Sequence, residues 1–390
     1  MVTGASNHNK YYKQIPHGDT WTAEYGRVGS TAQRREYPMS QWDKKYNEKI
    51  KKGYVDQSNL VQDLIQKHSS KSQYKAIENK EIAEIVKRLQ DMANQATADN
   101  YTISSNSVTQ AMVDEAQNIL TDLTTIQSID AFNQTLLKLF TTIPRKMSDV
   151  SSFLAKSEKD FGAIIDTEQD LLDVMRGQVV QKQVEDTNDD KKYDFTILEK
   201  LGLEFEECDK NDILKIKSAL GSCSDKFYRA WRVKNMRTQK RFDEFVGDQK
   251  IKNIKLLWHG SRNENWWSII NNGLVLKPTN AVITGKMFGY GIYFAPKARK
   301  SLGYTSLNGS YWARGNSSSA FMALMEVAYG KPYNVFSFDS KYYQFNYDKL
   351  QMTCPGANSL HAHEGVMLRN DEIIVYKEDQ ITIKYLVELR

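Results

Sequence analysis

The sequence predicts an α+β multidomain chain in three parts: a small β module, an all-α helical bundle and a larger α+β domain. Three changes of texture carry that prediction. Residues 8–56 are dense in aromatic and basic side chains interrupted by glycines, and residues 76–183 repeat apolar side chains at helical spacing. Beyond about 193, short apolar runs that end beside Gly or Pro alternate with helical stretches. A chain of 390 residues has room for about two to three domains. Its 40% hydrophobic and 26% charged residues are those of an ordinary globular protein with sizeable cores.

Taken in order, the run Trp21-Thr22-Ala23-Glu24-Tyr25 before Gly26 and Gly29 reads as a strand and turn in a small sheet. Trp42, Tyr46 and Ile50 recur every four residues, which predicts one short helix. Residues 58–75 are polar, without a period, and read as a linker. Ile82, Ile85, Val86 and Leu89 then recur at 3.6-residue spacing, as do Ile119, Leu120, Leu123 and Ile126. A further helix through Leu136 to Phe140 should stop at Ile143-Pro144, and one through Leu171, Leu172 and Met175 should end near Gly177. Residues 184–192 form a charged linker. The last domain, 193–390, has strands predicted at Ile254–Trp258, Gly291–Ala295, Ile373–Tyr376 and Ile381–Leu389, with helices over 211–220 and 263–272.

Several classes are excluded or disfavoured. No apolar run approaches the roughly 18–20 residues of a membrane helix, and Met1 to Lys13 has no apolar core like that of a secretory signal. Three cysteines without a CxxC pair argue against a disulfide framework or a common zinc site, so no metal is expected. The net charge of +5 is unevenly placed. Residues 1–75 hold 13 Lys and Arg against 7 Asp and Glu, a balance of +6, which leaves −1 for the other 315 residues. Such an amino end suits a polyanion such as nucleic acid, or is simply a basic surface.

Four segments carry chemistry: Leu256-Leu-Trp-His259-Gly260-Ser261-Arg262, Phe288-Gly-Tyr-Gly291-Ile-Tyr293-Phe-Ala295, Lys300-Ser301-Leu-Gly-Tyr304 and Asn370-Asp-Glu372-Ile-Ile-Val-Tyr376. Each alone has a packing explanation. In this order, and followed by the closing strand from Gln380, they resemble the catalytic domain of the diphtheria-toxin-like ADP-ribosyltransferases, specifically the poly(ADP-ribose) polymerases. The family's His-Tyr-Glu set falls on His259, Tyr293 and Glu372. The resemblance implies that NAD is a consumed substrate and that there is no resident cofactor. A Rossmann site is disfavoured, because Gly285, Gly289 and Gly291 do not spell GxGxxG.

The resemblance also implies roles. His259 would bond the adenosine-side ribose, and Gly260 would offer backbone groups to the nicotinamide amide, with Ser301 adding a hydroxyl. Tyr293 and Tyr304 would sandwich the nicotinamide ring, at about 0.5–1.5 kcal/mol per stacked pair. Ser261, Asn265 and Lys300 complete the expected NAD contacts. Glu372 would stabilise the oxocarbenium-like transition state and orient the acceptor; a glutamate there goes with polymer elongation in the family. Where the family often has a polar residue after Gly273-Leu274, this chain has Val275-Leu276.

Residues 1–57 resemble the WGR domain through Tyr25-Gly26-Arg27-Val28-Gly29, with Tyr25 in place of the motif tryptophan. Tyr25, Gly26 and Arg27 are the implied DNA-binding or interdomain residues. Residues 76–183 resemble the family's regulatory helical domain through Thr141-Thr142-Ile143-Pro144 and Leu171-Leu172-Asp173. The whole implies a short, DNA-break-dependent polymerase that modifies protein acceptors including itself, monomeric and away from membranes, with an accessory specificity factor as a further partner. It would be nuclear in a eukaryote and cytoplasmic in a prokaryotic or viral setting. A mono-ADP-ribosyltransferase and a catalytically silent DNA-end scaffold are the alternatives.

Overall fold

The computed structural model describes residues 10–27, 31–54, 56, 73–102, 108–147, 149–185, 192–276, 287–365 and 368–390. They fall into two compact units. One holds the described residues up to Asp56 together with 95–182, and the other holds 73–94 and the described residues from 183 onward.

In the first unit, β1 (Lys10–His17), β2 (Thr20–Arg27) and β3 (Gln33–Pro38) form an antiparallel meander. Strand alternation turns Trp21 and Ala23 inward, and both are fully buried. The Trp21 indole stacks on Tyr37 at 4.9 Å, meets Trp42 edge-on at 5.5 Å, and donates its N–H to the Pro38 carbonyl. Trp42 opens α1 (Trp42–Lys51), the helix its four-residue spacing predicts. The expected linker 58–75 lies mostly outside the described residues. Its last three, Gln73–Lys75, form β4 instead of coil.

Helix α2 (Lys80–Asn100) crosses the boundary between the units. The first unit also holds α3 (Gln110–Leu123), α4 (Ile129–Thr142) and all but the last three residues of α5 (Phe161–Glu185). Thr109 and Ser128 cap α3 and α4 by accepting backbone N–H bonds from Met112 and Ala131. Helix α4 ends at Thr142 ahead of Pro144, as Ile143-Pro144 predicts. The predicted stripes Ile119, Leu120, Leu123 and Leu136, Leu139, Phe140 are buried in one core, where Phe132 and Phe161 stack face to face at 3.9 Å. Helix α5 does not stop near Gly177 but runs on to Glu185. An interior glycine costs a helix only about 1 kcal/mol, and Met175 and Val179, buried on either side of it, outweigh that.

The second unit carries two sheets. Its chain continues through β5 (Lys192–Thr196), α6 (Ile197–Leu201), β6 (Leu203–Glu207), α7 (Lys210–Leu220), β7 (Phe227–Asn235), α8 (Met236–Asp248) and β8 (Ile254–Gly260). Then follow α9 (Trp266–Asn272), β9 (Ile292–Phe294), α10 (Ala298–Leu302), β10 (Ala320–Ala328), β11 (Pro332–Val335), α11 (Tyr347–Thr353), β12 (Ser359–Ala362), β13 (Glu372–Val375) and β14 (Ile381–Leu389). The larger sheet, in order β6-β7-β14-β10-β8, is antiparallel throughout. The smaller runs β11-β12-β13-β9, with only β11 and β12 parallel. An isolated antiparallel bridge between Trp258 and Ala295 ties the two together. Strands β4 and β5 pair in parallel, with Tyr74 stacked on Tyr193 at 5.2 Å. Among the described residues no helix is long and apolar enough to cross a membrane.

The first turns of α2 belong to this unit. Ile82, Ile85, Val86 and Leu89 are buried, and Arg88 reaches the fully buried Glu388 of β14 with Nη1 and Nη2 at 3.2 and 3.0 Å. The guanidinium also lies over Phe321. Removing one partner strands a charge inside protein, whereas removing both does not. Arg88→Ala should therefore cost about 2–4 kcal/mol, the lower part of that range reflecting a guanidinium one-third exposed and Arg390 Nη2 at 3.7 Å from the same carboxylate. Adding Glu388→Leu should restore most of the loss; chemical denaturation of the wild type and the two variants checks both statements.

Candidate active site

The Trp258–Ala295 bridge is made by two reciprocal backbone bonds of 2.9 and 3.0 Å. It sets the ends of β8 and β9 side by side, so the two residues that follow Trp258 face the strand that carries Tyr293. His259 Nδ1 meets the Tyr293 carbonyl at 3.1 Å, and the ring is flanked by Phe294 at 5.8 Å and Trp266 at 6.4 Å. An imidazole bonded to a carbonyl through Nδ1 carries its proton there, which leaves Nε2 as the acceptor.

Gly260 is required by packing. A Cβ on it would lie 2.0 Å from the Ser301 carbonyl oxygen. Helix α10 thus presses its backbone against the end of β8, and only glycine fits. The Ser301 hydroxyl, buried, donates to the Trp258 carbonyl at 3.0 Å and keeps an oxygen lone pair for a second partner.

Tyr293 is fixed at both ends. Its backbone pairs with Ile374 of β13, while its hydroxyl donates to the Gly289 carbonyl at 3.0 Å and accepts from the Phe288 N–H at 2.9 Å. Burial pushes its pKa well above the usual phenol value, and the nearby Glu372 charge adds to the shift. Gly289 sits at φ +72°, with the Phe345 backbone where a side chain would go. Tyr376 holds the same turn through a 2.8 Å bond to the Phe288 carbonyl.

Glu372 opens β13 opposite Ala362 and is buried. Its carboxylate forms an ion pair with Lys300 Nζ, from α10. Tyr304 keeps 39% of its surface exposed and stacks on Trp312 at 6.1 Å. Desolvation at its hydroxyl, and then the Glu372 charge, push its pKa up to about 12. Asn265 donates to the Ser261 hydroxyl at 2.9 Å. Past Gly273-Leu274, the Leu276 N–H donates to Glu378 at 2.8 Å.

The predicted residues of the last domain thus lie on β8, β9, α10 and β13, with Ser261 and Asn265 just past β8 and Tyr304 just past α10. Two features escaped the sequence. Lys300 is bound to Glu372 across 72 positions of chain, for which no local signal exists, and the exposed Trp312 backs Tyr304. The amino-terminal residues lie apart in the chain. Tyr25 stacks on Tyr12 at 6.0 Å with Lys49 above both rings, and Gly26 has ordinary van der Waals room for a methyl group. The Arg27 side chain, Val28 and Gly29 lie outside the described residues.

Comparison with known proteins places this arrangement. Residues 204–390 match the poly(ADP-ribose) polymerase catalytic domain. The chain is 30% identical over 189 residues to a poly [ADP-ribose] polymerase-like protein, 100L, of Invertebrate iridescent virus 6, covering 47% of this chain and 96% of that protein. It is 33% identical over 192 residues to protein 101L of the same virus, uncharacterised, covering 48% of this chain and 79% of the other. It is also 30% identical over 212 residues to poly [ADP-ribose] polymerase 2 of Zea mays, covering 47% of this chain and 31% of the maize protein. Fold and site together define an NAD+ ADP-ribosyltransferase. The chain belongs to the poly(ADP-ribose) polymerase family.

Gly260→Ala should force the end of β8 and α10 apart. A displacement near 1 Å in a reacting site costs about 100-fold in rate, so release of nicotinamide from labelled NAD should fall by at least about that factor. The far-ultraviolet circular dichroism should stay that of a folded chain.

Proposed function

We propose that this protein is a DNA-break-dependent poly(ADP-ribose) polymerase that transfers ADP-ribose from NAD to protein side chains, its own included, and then extends the chain. The observation that carries the reading is the buried Glu372, set on the strand beside Tyr293 and paired with Lys300. Cleaving the nicotinamide–ribose bond builds positive charge on the ribose. A carboxylate held in a water-poor cleft stabilises that charge and can orient an incoming hydroxyl. The bond broken is the C1′–N glycosidic bond; its electron pair leaves with nicotinamide, the acceptor oxygen bonds the anomeric carbon, and the acceptor's proton is released to water.

The NAD contacts follow the same positions. The His259 Nε2 side suits a ribose hydroxyl, Gly260 and Ser301 the carboxamide, and Tyr293 with Tyr304 the two faces of the ring. Ser261 and Asn265, already bonded to each other, suit the adenosine side. In this reading Lys300 yields the Glu372 carboxylate to the nicotinamide ribose when substrate enters.

The regulatory half rests on the amino-terminal module and the helices. Residues 1–57 would be a WGR-like DNA-end reader, supported by the +6 balance of residues 1–75 and by aromatic rings set among lysines. The helical region would restrain catalysis until DNA shifts its equilibrium. In this role the chain acts in the DNA-damage response, as a monomer, in the nucleus of a eukaryote or in the cytoplasm of a prokaryotic or viral setting.

Purified protein given labelled NAD, with and without nicked DNA carrying a 5′-phosphate, decides between the readings on a denaturing gel. A smear that needs DNA is expected. A DNA-independent smear removes the switch, a discrete band assigns single-unit transfer, and no label leaves a DNA-binding scaffold. Glu372→Gln should abolish the smear, and long polymer from that variant would remove Glu372 from elongation. The switch has its own check. Because the first turns of α2 carry Arg88 into the catalytic unit, the segment to replace with a flexible linker is 95–182 rather than all of 76–183. That variant should be active without DNA; a chain still silent without DNA contradicts autoinhibition.

A further inference from the structure

Three potential metal ligands that no part of the transfer chemistry uses converge beside the catalytic strand. His361 lies in β12 and His363 one residue past its end, and their rings stack at 4.0 Å. Asp371 immediately precedes Glu372, on the antiparallel partner of β12. One donor atom from each of the three lies within 4.8 Å of the other two. His361 Nε2 is 2.8 Å from Asp371 Oδ2, and His363 Nδ1 is 3.7 Å from the same oxygen. These separations bracket the roughly 3.3 Å edge of a tetrahedron with bonds of about 2.0–2.1 Å, as zinc forms with nitrogen and oxygen.

The atoms turned away from the cluster are also held. His363 Nε2 meets Asn334 Oδ1 at 2.9 Å, and His361 Nδ1 meets the Tyr329 hydroxyl at 2.8 Å. Asp371 Oδ1 accepts the Glu364 N–H at 2.8 Å. An amide oxygen only accepts, so its bond places the His363 proton on Nε2 and leaves the Nδ1 lone pair facing the cluster. The Tyr329 hydroxyl can donate or accept, which lets His361 carry its proton on either nitrogen. Outer partners of this kind orient histidine and carboxylate ligands in metal sites. A plain His361–Asp371 hydrogen bond accounts for the 2.8 Å contact. The His363 ring also packs on Phe336 at 4.5 Å, but neither contact accounts for the amide that fixes its tautomer.

We infer that His361 Nε2, His363 Nδ1 and the Asp371 carboxylate bind a divalent transition-metal ion of the zinc class, with a water or another small ligand completing the shell. Two imidazoles and one carboxylate suit such an ion better than magnesium or calcium. The ion would clamp the end of β12 to the start of β13, at the pair Ala362–Glu372, and so steady the strand from which Glu372 projects.

The test uses full-length, untagged protein stripped of metal and titrated with Co2+, read by visible absorption, with Zn2+ as competitor. One equivalent of Co2+ with the absorption of a four-coordinate site, displaced by Zn2+, is expected. His363→Ala and Asp371→Asn should each weaken binding by at least about 100-fold, and Asn334→Ala by about 10- to 100-fold. Zn2+ should raise the melting temperature of the wild type but not of Asp371→Asn. No bound equivalent in the wild type, or binding that survives both ligand substitutions, overturns the proposal. Should His363→Ala fail to fold, Asp371→Asn and Asn334→Ala decide it in the same way.

Discussion

The reciprocal pair of backbone bonds between Trp258 and Ala295 is the constraint on which the site depends. It joins an antiparallel sheet to a mixed one at the end of β8. A lone bridge contributes little by itself, about 0.5–1.5 kcal/mol per hydrogen bond. Its effect is geometric. With Trp258 fixed and fully packed, His259 is brought to the Tyr293 carbonyl and Gly260 to the Ser301 backbone. Strand β9 then hands position on to β13 through the Tyr293–Ile374 pair, which places Glu372 two residues away. Residues separated by more than a hundred positions of chain are thereby held by backbone rather than by loops.

Three buried or half-buried ion pairs show how differently such contacts serve. In the helical unit Arg145 and Glu168, each about 95% buried, lie 3.0 Å apart, and the guanidinium also donates to the Asn100 carbonyl. Burial still holds the Glu168 carboxyl above the usual range despite its partner. Such a pair adds little net stability but is costly to break, so it acts as a constraint on how the helices assemble. Glu388 with Arg88 is of the same kind. Lys300 with Glu372 is not: both side chains keep some exposure, and the lysine is a flexible point charge that can exchange one partner for another. On the proposed reading Glu372 needs that freedom to meet substrate, and a structural carboxylate does not.

Much of this was legible in the sequence, for identifiable reasons. Helices α3 and α4 announced themselves through period and, for α4, the stop at Ile143-Pro144, whereas their caps Thr109 and Ser128 were recognised only in the fold; the four motif segments each sit at a strand end or on a short helix beside one. What failed was local reasoning about competing terms. Gly177 carries a small intrinsic penalty that burial on both sides overrides, and Gln73–Lys75 are strand only because Lys192–Thr196 pairs with them from far along the chain. Gly260 was legible as a glycine but not for the reason the fold supplies, since the Ser301 carbonyl comes from another element. The His361-Ala-His363 spacing was visible too. Only the β12–β13 register, which brings Asp371 alongside, gives it chemical meaning.

Charge in the amino-terminal module illustrates why composition alone is a coarse guide to binding. Lys49 lies 4.2 Å above the Tyr12 ring and within reach of Tyr25 and Tyr54, and desolvation there lowers its pKa. Arg34 pairs with Glu24 at 2.8 Å. Both cations are partly committed to the module, one to aromatic faces and one to a carboxylate. Phosphate contacts, on the proposed reading, would fall first to the exposed Lys10, Lys13, Lys44, Lys51 and Lys52. The Tyr12–Tyr25 stack beneath Lys49 then has a different part: it stiffens the strand that leads to Arg27. The two tyrosine faces and the Lys49 ammonium above them form one packed unit, so a change at Tyr25 would disturb Tyr12 and Lys49 as well.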